Sequence, residues 1–148
     1  MHEHNRLRLE RLTARYANRL REDEAVDEVA FLRAFDELCA LVIRPVLEEC
    51  AAELRRASHD ARVVLDEGSA KPCMELALGL RRATATRNVV GFAVLRWEGY
   101  PLQILAYLEV NAPPFDLERF ASADEVKADR VEQMVVDAIE HIISCNAP

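Results

Sequence analysis

Ser58, His59 and Asp60 place a hydroxyl, an imidazole and a carboxylate in consecutive positions, the side-chain types of a nucleophile, its base and an orienting acid. Successive side chains point apart, whereas a triad is assembled from residues distant in the chain, so this run reads as a helix end and turn. His59 as a lone base has no sequence partner. Arg81, Arg82, Thr84, Thr86 and Arg87 cluster around an expected turn, where forked guanidinium donors grip a phosphate or carboxylate if they converge and are merely solvated if they do not. Cys39, Cys50, Cys73 and Cys145 show neither a CxxC motif nor paired-ligand spacing, and His2 and His4 lie on a terminus that frays. The thiols therefore read as small, reduced core residues, and neither a metal nor another cofactor is expected. Glu48, Glu49 and Glu53 lack the Glu-x-x-His spacing of a di-metal bundle and read as a solvated helix face. Gly68, Gly79, Gly91 and Gly99 are isolated and form no phosphate-cradling loop.

The elements that must position these groups are organised around residues 26–57. Val29, Leu32, Phe35, Leu38, Val42, Val46, Cys50 and Leu54 recur at helical spacing, and Leu38 to Leu47 is apolar nearly all round, which predicts a helix buried on more than one side. Pro45 predicts a kink near Arg44, or two abutting helices with Pro45 in the first turn of the second. Cys39 and Cys50 are expected on one side of this helix. Before it, residues 1–22 read as a basic amphipathic helix with Leu9, Leu12, Tyr16 and Leu20 in a narrow stripe. Glu22-Asp23-Glu24 is the expected joint, with Asp23 or Asp27 as the cap of the second helix.

After Ala57 the period changes to two. Strands are predicted at 61–66, 73–82, 88–97 and 102–110, the last two joined by a hairpin at Glu98-Gly99-Tyr100-Pro101. Setting Trp97 opposite Tyr100 pairs Leu95 with Leu102 and Gly91 with Ala106, and puts Phe92, Leu105 and Tyr107 on one bulky face. A slip of one residue exchanges the faces. Both faces are apolar enough to need cover. Phe115 to Ala121 is expected to be a connection, Ser122 with Glu125 a capping box, and 122–145 a final helix with an acidic outer face of Asp129, Glu132, Asp137 and Glu140.

The segments predict an α+β fold in one domain, residues 1–148: an N-terminal helix or helical hairpin, a four-stranded antiparallel β-meander over 61–110, and a C-terminal helix. Charge is uneven. Residues 1–21 hold six arginines against two glutamates, a net +4, which leaves −11 for the rest of a chain whose total is −7. Only Lys71 and Lys127 of the nineteen basic residues are lysine, a bias that follows from a GC-rich genome as well as from a need for forked donors. The acidic body and the lack of stacking aromatics argue against a nucleic-acid partner. No apolar run approaches the roughly 20 residues of a membrane span, and no signal-peptide core is present, so the expected location is the bacterial cytoplasm.

Surplus apolar surface points to a non-enzymatic, self-associating protein-interaction or regulatory module. Its expected state is a homodimer through Leu9, Leu12, Tyr16 and Leu20, with an acidic protein as a further partner for the arginines. The alternative reading is a small-ligand site, with or without catalysis, between the bulky sheet face and a helix. Phe92, Trp97, Gln103, Leu105 and Tyr107 would line it, with Arg81 or Arg82 at its mouth. No catalytic residue is legible.

Overall fold

A computed structural model describes residues 1–66, 72–96 and 100–147, with side chains left out of the description at 18–26. Helix α1 (Glu3–Leu38), a π turn (Cys39–Ile43) and helix α2 (Arg44–Arg56) follow one another without a break. The joint expected at Glu22-Asp23-Glu24 is absent. Those residues include no glycine or proline, and a charged run without a breaker continues a helix rather than ending it.

The irregularity falls beside Pro45, as its chemistry requires. Proline has no amide hydrogen to offer the carbonyl four residues back. The chain widens to a π turn just before it, and Pro45 occupies the first turn of α2. The turn inserts one residue into the helical phase: Leu38 and Ile43, five apart, are both buried. Beyond it the core positions are Ile43, Leu47, Ala51 and Leu54, while Val42, Val46 and Cys50 of the expected stripe are only half-buried. Cys39 is buried and Cys50 lies at the margin, so the two thiols do not share one environment.

The sheet is a meander of five strands in the order β1-β2-β3-β4-β5, all antiparallel. They are β1 (Asp60–Asp66), β2 (Cys73–Gly79), β3 (Asn88–Leu95), β4 (Gln103–Val110) and β5 (Phe115–Phe120). The fifth strand corrects the expectation of four. Phe115-Asp-Leu-Glu-Arg-Phe contains an irregularity in its pairing with β4 at Ala106/Tyr107, and the extra residue breaks the alternation that would have announced a strand.

The register of β3 with β4 is also one residue from the expected one: Gly91 lies opposite Tyr107, Phe92 opposite Ala106 and Leu95 opposite Gln103. Bulky Phe92 thus meets small Ala106, and Val90, Phe92 and Val94 share a face with Ile104, Ala106 and Leu108. That face, with Met74, Leu76 and Leu78, is the buried core. Helix α2 packs on it over β1 and β2, and helix α3 (Ala128–Asn146) over β3 and β4. Val131, Met134, Val135, Ala138 and Ile142 line the buried side of α3, while Cys145 is exposed. The expected capping box opens only a short 3₁₀ turn (Ala123–Glu125), where Glu125 accepts a hydrogen bond from the Ala121 amide at 2.9 Å.

Among the described residues no helix is long and apolar enough to cross a membrane, and no buried side-chain nitrogen or oxygen lacks a hydrogen-bond partner. Asn146 is buried and fully bonded. Its Oδ1 accepts from the Ala85 amide, and its Nδ2 donates to Asn88 Oδ1 and the Ile142 carbonyl, each at 2.8 Å. These bonds tie the end of α3 to the connection before β3.

Candidate functional site

The sheet face turned away from the helices carries a group of polar side chains around Gly91. Tyr107 on β4 lies over Gly91 on β3, so close that a Cβ there would stand 2.8 Å from the phenol oxygen. Glu75 on β2 flanks the same spot, its Cγ 2.9 Å from that Cβ position, and lies beside the Cys73 thiol. Arg87 bridges Glu75 at 3.3 Å and Glu109 at 2.9 Å, closing a chain of contacts across three strands. Burial, followed by the charge of Glu75, pushes the Tyr107 phenol well above its ordinary range and keeps it neutral. Burial and then Glu75 and Asp66 likewise push the Cys73 thiol up, the wrong direction for a nucleophile. The group is satisfied internally. It roofs Gly91, while Ala77 and Ala93 on the same face are half-buried.

The predicted ligand residues do not converge. Phe92 is fully buried toward the helices, while Leu105 and Tyr107 stand on the opposite face, a direct result of the register. Gln103 borders a hollow of about 220 Å³ with Leu95, Tyr100, Pro101 and Arg119. Trp97 lies outside the described residues. Arg81 and Arg82 are exposed in the β2–β3 connection, with Arg82 in the left-handed region at φ 58°. Thr86 and Arg87 instead turn to structural partners: Asn111 Oδ1 accepts from the Thr86 amide and hydroxyl at 2.9 and 3.0 Å. His59 Nδ1 accepts the Arg81 amide at 3.0 Å, and Ser58, at φ 70°, closes the end of α2. Ser58, His59 and Asp60 therefore link a helix end to a strand turn.

The predicted interface residues lie where no other part of the described chain covers them. Every residue from Met1 to Tyr16 is exposed, including Leu9 and Leu12 at 49% and Tyr16 at 66%. The Leu20 side chain lies outside the described residues. Among the described side chains, contact with the body is made further along, where Glu28 pairs with Arg96 and Phe31 and Leu32 pack against the core. The first half of α1 is thus a basic arm, and at about 1.5 Å per residue it is long enough to reach well past the sheet.

Two apolar clefts flank α3. One, of about 460 Å³ between α2 and α3, is walled by Val46, Cys50, Val136 and Ile139 and rimmed by Glu49, Glu53 and Glu132. Burial, then Glu132 and Glu49, pushes the Cys50 thiol up, a sign of the negative field there. The other, of about 380 Å³ between α3 and the β4–β5 edge, includes Leu117, Met134, Arg130 and His141. The first cleft escapes a sequence reading because the π turn moves Val46 and Cys50 from the core to its wall. The available signal is that each flanking helix has an acidic face. Among the described residues no group of His, Cys, Asp or Glu is placed to hold a metal ion. In comparisons with known proteins the chain matches no family model, no curated protein and no solved structure.

Proposed function

We propose that the chain is a non-enzymatic, self-associating protein-interaction module of the bacterial cytosol, and that the exposed arm of α1 is its contact element. The observation that carries this reading is the stripe of Leu9, Leu12 and Tyr16, about half or more exposed on a helix that the rest of the described chain does not cover. An isolated helix of this kind is marginal in water, and its apolar stripe is stabilised by docking. All four cysteines are free, which suits a reducing compartment. The small-ligand alternative has less support, since its lining residues divide between two sheet faces. The hollow beside Gln103, about 220 Å³, is also smaller than the roughly 300–1,000 Å³ of ordinary ligand pockets.

Light scattering on the full chain tests the proposal. A dimer at concentrations on the order of 10 μM, turned monomeric by Leu9→Glu with Leu12→Glu at unchanged helicity, is the expected outcome. A full chain that stays monomeric there refutes it.

A further inference from the structure

The arm needs a seat, and charge distinguishes the available surfaces. On the arm, Arg8 and Arg15 stand four before and three after Leu12, at the edge of the apolar stripe. Arg6 is paired with Glu3, whereas Arg8, Arg11 and Arg15 make no ion pair among the described residues. The α2–α3 cleft is the complement: an apolar floor with Glu49 and Glu132 on its rim, neither ion-paired among the described residues, and Glu53 held by Arg56. The cleft on the other side of α3 has one acid, Asp137, beside His141 and an Arg130 that is already paired with Glu118 at 2.9 Å. Two arms laid together would set six arginines of residues 1–21 against six more, a like-charge arrangement that costs affinity.

The arm cannot use the cleft of its own chain. Between Leu12 and Cys50 the helix is continuous, and the intervening rise is about 57 Å. The seat is therefore on another molecule. We propose that the arm of one copy lies in the α2–α3 cleft of a second copy, with Leu9, Leu12 and Tyr16 against Val46, Val136 and Ile139 and with Arg8 and Arg15 facing Glu49 and Glu132. Because each copy has one arm and one cleft, reciprocal exchange closes a two-fold dimer with two identical contacts. This inference rests on the self-association proposed above and specifies where it takes place.

Sedimentation of the full chain at low salt, with charge reversals on each side, tests it. Glu49→Arg with Glu132→Arg, and separately Arg8→Glu with Arg15→Glu, should each weaken dimerisation by about tenfold or more, and the four changes together should recover most of the loss. All four positions are exposed, and circular dichroism verifies that each variant is folded. A dimer constant unchanged by the cleft reversal, or a quadruple variant no tighter than either pair, overturns the seat while leaving self-association standing. A wild-type chain that is monomeric overturns both. A monomer whose arm instead binds duplex DNA assigns the arginines to phosphate.

Discussion

Replacing Gly91 with alanine tests the roof of the outer sheet face. The new Cβ would stand 2.8 Å from the Tyr107 oxygen, 2.9 Å from its Cζ and 2.9 Å from Glu75 Cγ. Ordinary carbon contacts lie near 3.5 Å or beyond, so ring and carboxylate must both move by more than half an ångström. Tyr107 is only 8% exposed, and a displaced Glu75 carboxylate stretches its 3.3 Å pairing with Arg87. Overpacking costs about 1–3 kcal/mol and the weakened Arg87–Glu75 pair up to about 1 kcal/mol. The alanine recovers about 0.4–1 kcal/mol by restricting the unfolded chain. The net destabilisation is about 2 kcal/mol, which lowers the urea midpoint by about 1 M if the slope is near 2 kcal/mol/M. Urea unfolding should be run on wild type, Gly91→Ala, Tyr107→Leu and the double variant. The shorter leucine removes the ring atoms that clash, so Gly91→Ala should cost much less in that background. Equal costs in both backgrounds, or an unmoved midpoint in the single variant, would refute the proposed contact.

Asn146→Ala should destabilise the fold by about 2–3 kcal/mol, since it leaves the Ala85 amide and Asn88 Oδ1 without their partner; thermal melts that agree within experimental scatter would show the tie to be idle. Tyr107 gives a pH dependence of definite sign. Its folded phenol titrates above the unfolded one, so its contribution is complete below about pH 10 and declines above it, by up to about 1.4 kcal/mol per pH unit. Urea midpoints measured from pH 8 upward should fall more steeply for wild type than for Tyr107→Phe, and parallel curves would contradict the burial of this group.

The α+β class, the two flanking helical regions and four of the strands were legible because their apolar periods are long and regular. The β3–β4 register was not fixed by the Trp97–Tyr100 pairing assumed for the hairpin. A better signal lay in Gln103 and Glu109, which share the parity of Tyr107 and mark that side as the polar one. Strand β5 was concealed by two prolines before it and a bulge within it. The candidate site was legible only in part. The exposed stripe of the arm follows from Leu9, Leu12 and Tyr16, but the cleft depends on a phase change at Cys39–Ile43 that local sequence does not announce. Tyr107 and Glu109 come from β4, Glu75 from β2 and Arg87 from the connection before β3, so their network exists only once the register is set.

The unbroken path from Glu3 to Arg56 makes the direction of the arm a property of chain length. With no loop to absorb a change, each residue added or removed between the arm and Phe31 turns the apolar stripe by about 100° around the axis while moving it only about 1.5 Å along. A single insertion therefore aims the stripe elsewhere, whereas an insertion of seven residues, close to two full turns, restores its bearing and extends its reach by about 10 Å. Bearing and reach are thus separately adjustable without altering any residue of the arm or the body, and a length series in this segment would read out the geometry of whatever surface receives the arm.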